Sequence, residues 1–155
     1  MKSIGILMVA LLIGLIACAK SGEETLTYAQ QIAKLQHYNE TLEKYLKSLE
    51  TTDPEGKGEV TQIAQLLKNY EADLAKIPDP RDSKLKAMHG RYKRSIAASQ
   101  KRLLPPDDPA FVIQARRAIM GLKEDVKDSI YPIVRELLTR YNLGDRVSLK
   151  WPSEE

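Results

Sequence analysis

Cysteine is almost absent. Cys18 is the only one in 155 residues, so no internal disulfide can hold the chain together. Histidine is nearly as scarce. His37 and His89 are the two present, and the residues three before them are Lys34 and Lys86. Neither therefore completes the Glu-x-x-His pair of a carboxylate-bridged metal site in a helical bundle. His37 with Glu40 has one-turn spacing and nothing further, which reads as a solvated face. The segment Asp53-Pro54-Glu55-Gly56-Lys57 fails as a calcium loop, because Lys57 occupies a ligand position and Gly56 falls too early. There is no Gly-rich phosphate loop and no G-x-S-x-G. Excess charge is missing too: the net charge is +3, which excludes a general nucleic-acid binder. Nothing local calls for a cofactor.

Long apolar runs are confined to the start of the chain. After Lys2, residues 4–16 are apolar except for Gly5 and Gly14, and Ala17 and Cys18 follow. Positive charge, greasy core and small residues form the layout of a secretory signal. The run is short for a retained membrane helix, which needs about 20 residues. It has no polar face, which disfavours a core helix.

Leu15-Ile16-Ala17-Cys18 resembles the lipobox of bacterial lipoproteins. The resemblance implies a diacylglyceryl group on the Cys18 thiol and cleavage just before it. Residues 1–17 would then be removed and 18–25 would form a lipidated tether. Ala19 in place of Asp implies the outer membrane, at its periplasmic face, in a Gram-negative cell. The membrane is then a partner through the anchor.

The remaining chain reads as all-α. Hydrophobic residues at 43% and charged residues at 29% suit a folded domain rather than a disordered one. Over 24–50, Tyr28, Ile32, Leu35, Asn39, Leu42, Leu46 and Leu49 alternate steps of four and three, a helical seam with one polar residue. A polar residue there is expected to fix register, so Asn39→Leu should raise stability. Ser21 and Glu24 have capping-box spacing. A second helix is expected over 59–77 and a third over 81–104, with Asp79 as its N-cap and Pro80 following. A fourth is expected over 110–143, capped by Asp108. Its seam runs through Val112, Ala115, Ile119, Leu122, Val126, Ile130, Ile133, Leu137 and Tyr141. Pro132 should kink it, and Asn142 or Gly144 should stop it. Short connections predict antiparallel neighbours. The architecture is an up-down-up-down four-helix bundle over 26–144 or a set of antiparallel coiled-coil-like hairpins. A docked or frayed tail covers 145–155.

Two features are candidates for function. Of the seven tyrosines, Tyr28, Tyr70, Tyr92 and Tyr141 sit on the seams and Tyr38 and Tyr45 just beside one; they either line a ligand cleft or pack at seam edges with hydroxyls toward water. The third helix carries Arg81, Lys84, Lys86, Arg91, Lys93, Arg94, Lys101 and Arg102 against the single acid Asp82. That run either pairs with acidic neighbours or forms a patch for anionic headgroups, a cell-wall polymer or an acidic envelope protein. The function expected is a non-enzymatic binding or spacer module tethered in the bacterial envelope. The alternatives are a wall-modifying hydrolase with dispersed carboxylates and a small-ligand-binding bundle.

Overall fold

The computed structural model describes residues 20–50 and 58–154. Among these the fold is all-α, with no strand. Helix α1 covers residues 20–33. It is followed by α2 (Gln36–Glu50), α3 (Ile63–Ala75), α4 (Ser83–Arg102), α5 (Phe111–Asp125) and α6 (Tyr131–Arg140). None of the helices described is long and apolar enough to cross a membrane. The lipobox, Cys18 and residues 51–57 lie outside the described residues.

The first seam behaves as its spacing dictates, with Tyr28, Ile32, Leu35, Asn39, Leu42, Leu46 and Leu49 all buried. It is nonetheless two helices. At Lys34 and Leu35 the backbone tightens to bonds three residues back, Lys34 N–H to Gln31 and Leu35 N–H to Ile32. His37 Nδ1 sits 2.9 Å from the Lys34 carbonyl and supplies a donor where the ladder is broken. Residues 20–25, assigned above to the tether, are helical. Ser21 consequently lies inside α1, and the Glu24 carboxylate accepts from the backbone N–H groups of Arg81 and Asp82.

Neighbouring helices run in opposite directions where side chains tie them. Tyr38 reaches Asp73 and Lys44 reaches Glu59, which sets α2 against the α3 segment. Gln100 bonds the Leu67 carbonyl while Tyr92 meets Tyr70, which sets α3 against α4. Arg91 pairs with Asp125 and Ser99 bonds the Ala118 carbonyl, which sets α4 against α5. Glu50 with Arg116 and Asn39 with Tyr131 close α2 on α5 and α6.

Several ends differ from expectation. The N-cap of α4 is Asp82, whose side chain accepts from Leu85 N–H at 2.9 Å; Asp79 instead pairs with Lys93. Asp108 accepts from Ala110 N–H at 2.8 Å, although α5 itself starts at Phe111 without a side-chain cap. The long last helix is interrupted by a π turn over Val126–Ile130, closed by Tyr131 N–H to the Val126 carbonyl. Pro132 follows immediately and has no N–H to offer the preceding turn. Beyond this point the buried positions are Ile130, Tyr131, Val134, Leu137 and Leu138, while Ile133 is only half-buried. Asn142, with φ 57°, makes the left-handed stop, and Leu143 N–H returns to the Leu138 carbonyl at 2.8 Å.

The C-terminal segment is docked and belongs to the core. Leu149 and Trp151 are buried, Trp151 completely. Gln36 Nε2 donates to the Ser148 carbonyl at 3.2 Å.

Candidate functional site

Two polar centres lie inside the helices, one turn apart on α2. The first is neutral. Asn39 is fully buried; its amide donates to the Tyr131 hydroxyl at 2.8 Å, and its carbonyl oxygen accepts from the Tyr70 hydroxyl at 2.9 Å. Tyr70 in turn meets the hydroxyl of Tyr92. Rings reinforce the chain: Tyr38 stacks on Tyr70 at 4.6 Å, and Tyr92 stands edge-on to Tyr70 at 5.8 Å. Burial drives Tyr70 and Tyr92 well above the ordinary tyrosine range and Tyr131 to about 12. All stay protonated donors. Tyr28, Tyr70, Tyr92 and Tyr131 thus turn their hydroxyls inward, contrary to the seam-edge arrangement with hydroxyls in water. Three of them, with Asn39, draw α2, α3, α4 and α6 into one hydrogen-bonded set.

Beside it, Tyr28 OH lies 3.0 Å from His89 Nδ1. His89 is buried, and its Nε2 has no hydrogen-bond partner. The Asp79 carboxylate is 3.5 Å away, beyond a good hydrogen bond. Burial first, and then Lys93, hold the imidazole below its usual 6.5, against the pull of Asp79. Tyr28 borders a surface cleft of about 250 Å³ shared with Gln31, Pro78 and Asp79.

The second centre is charged. Glu43 is buried and accepts from Trp151 Nε1 at 2.7 Å and Lys123 Nζ at 3.0 Å. Burial pushes its carboxyl up, but the indole N–H and the ammonium outweigh this, and the net shift is downward. Glu43 therefore stays ionised and fastens the C-terminal segment to α2 and α5. Lys123 also sits 5.9 Å from the centre of the indole ring, within range of a cation–π contact.

The basic run on α4 divides. Lys84 pairs with Glu136, Arg91 with Asp125 and Lys93 with Asp79. Arg81 lies beside Glu24, through its backbone N–H. Lys86, Arg94, Lys101 and Arg102 are exposed, and no salt bridge joins them to a carboxylate among the described residues. Arg102 instead lays its guanidinium over Gly121, where a Cβ would meet Nη1 at 2.7 Å. Ser95, a polar interruption of the α4 stripe, donates to Asp125.

His37 Nδ1 donates to the Lys34 carbonyl. No group of three His, Cys, Asp or Glu side chains among the described residues is placed to hold a metal ion. The sequence reasoning missed Glu43, Lys123 and Trp151 altogether. The available signal was a second polar residue one helical turn after Asn39, on the same inward face. The chain matches no known protein family, no curated protein and no solved structure.

Proposed function

We propose that the protein is an envelope lipoprotein: exported, cut before Cys18, and held in a leaflet by lipid on that thiol. Its helices form a non-enzymatic binding or spacer module. The observation that carries this reading is Leu15-Ile16-Ala17-Cys18 closing an apolar run, with the chain's single cysteine at the required place. Two acyl chains anchor a protein stably where one holds only reversibly. Ala19 directs it to the periplasmic face of the outer membrane in a Gram-negative cell, and its partner there is an envelope protein or cell-wall polymer. The module is an up-down-up-down four-helix bundle whose last helix bends at the π turn before Pro132. Its non-enzymatic character is supported by the Asn39 and Glu43 centres, whose buried polar groups bond one another.

The test is metabolic labelling with an alkyne fatty acid, together with mass spectrometry of the mature N-terminus. Wild type takes up label and begins at Cys18. Cys18→Ser takes up none and stays unprocessed. An unlabelled wild type, or a mature end elsewhere, overturns the reading.

A further inference from the structure

The large hydrophobic side chains exposed among the described residues are Ile113 and Met120, at 56% and 40%. Both lie on α5, seven residues apart. Two helical turns bring them onto one stripe, about 10 Å from each other. Arg117 lies between them on that stripe and is exposed. Gly121 places the Arg102 guanidinium at its α4 edge, and Arg116, tied to Glu50, marks its α2 edge. On the adjoining outer surface of α4, Arg94 and Lys101 share a stripe with Arg102 at its α5 edge, along about 12 Å of helix, and none of the three is in a salt bridge among the described residues. Exposed apolar side chains set among cations on two neighbouring helices match an interfacial surface. There the apolar groups enter the headgroup region and the cations meet lipid phosphates.

We infer that the α4–α5 face docks flat on an anionic lipid leaflet, with Ile113 and Met120 inserted and the α4 cations on headgroup phosphates. The inference rests on the anchored reading above. That reading places the lipid only two residues before helical residue 20, a span of at most about 7 Å, and so holds the domain against the leaflet. An acidic protein would also satisfy the cations. The lipid is favoured because the cations and the exposed apolar side chains share one open face of two helices rather than lining a pocket. Glu124, exposed one turn beyond Met120, limits the patch at that end.

The test uses the lipidated mature protein reconstituted in vesicles. A polarity-sensitive dye is placed on Ile113→Cys, on Met120→Cys, or on Lys68→Cys on exposed α3. Lipid blocks the Cys18 thiol, so the introduced cysteine is the one that reacts. With phosphatidylglycerol present, the dyes at 113 and 120 shift to the blue and are quenched by brominated lipid, while the dye at 68 keeps its emission in water. High salt reverses the shift. Lys101→Gln with Arg102→Gln lowers the ratio of docked to free domain by about 30-fold, the effect of two surface cations. Circular dichroism of the variants should match wild type, since none of these side chains is buried. Dyes at 113 and 120 that stay water-like on anionic vesicles overturn the docking face, as does an equal response at all three positions. Dye entering Cys18 reports a free thiol and overturns the anchor instead.

Discussion

Asn39 and Glu43 stand one turn apart on α2, both buried, and solve the same problem with opposite chemistry. Asn39 satisfies its amide with neutral hydroxyls drawn from two other helices, one of them bonded in turn to a third. Glu43 keeps its charge and needs an ammonium and an indole to do so. The neutral centre sits among helices that already pack on one another. The charged centre holds a segment with little secondary structure of its own, where one strong acceptor can substitute for a ladder of backbone bonds. A buried polar group thus costs least where its partners are already in place, and contributes most where it brings a distant segment in.

The comparison breaks most readily at the charged centre. Trp151→Ala removes a fully buried indole and strips Glu43 of a donor, and should cost about 3–5 kcal/mol with release of the C-terminal segment. Urea unfolding followed by circular dichroism measures the loss, and protease nicking near residue 147 detects the release. A loss under about 1 kcal/mol would mean the segment is not held as described. At the neutral centre, Asn39→Leu should destabilise by about 2–4 kcal/mol, because it withdraws partners from two buried hydroxyls at roughly 1–3 kcal/mol each. The seam pattern read alone predicts the opposite sign, so a rise in the urea midpoint would mean that the network adds nothing.

Acidity separates the two centres further. The folded pKa of His89 lies below its ordinary 6.5, so the folded state binds fewer protons than the unfolded one. Its contribution is intact above about 6.5 and falls away as pH drops below that value. Glu43 is also shifted down, from 4.5, so its contribution is intact above that value and is lost as pH falls through the folded pKa. Midpoints measured from pH 7.5 to 3 should therefore decline in two stages. His89→Gln removes the earlier stage, and Glu43→Gln shrinks the later one, to which Asp125 and Glu136, also shifted down, contribute as well; a decline unaffected by either substitution would refute the assignment.

Much of the fold was legible in the spacing. The first seam is buried at every named position, and in the second expected helix Val60, Ile63, Leu67, Tyr70, Leu74 and Ile77 are buried at the same alternating spacing. Asn142 ends α6 because few other residues tolerate a positive φ. What the pattern could not give depended on partners far along the chain. Asp79 is the expected cap of α4, but Asp82 caps it and Asp79 pairs with Lys93, fourteen residues on. The tyrosine hydroxyls face inward because Asn39 lies 31 and 92 residues from its two tyrosine partners. Trp151 is 108 residues from Glu43, and no local period announces such a contact. The basic run was legible as a run, but which of its cations remain unpaired depends on Glu136, Asp125 and Asp79 across the fold.

The π turn has a consequence best put in terms of phase. From Leu122 the buried positions continue at Val126, Ile130 and Val134, each four residues on. A regular α-helix gains about 100° per residue, so three such steps would drift about 120° around the axis. A turn closed five residues back accommodates one residue more than an α-helical turn, and so takes up about 100° of that drift. Ile130 and Tyr131 can then both face inward although they are adjacent. That is how Tyr131 comes to present its hydroxyl to Asn39. Removing one residue from Val126–Ile130 would restore an uninterrupted helix and turn everything after it, Tyr131 included, by nearly a third of a revolution.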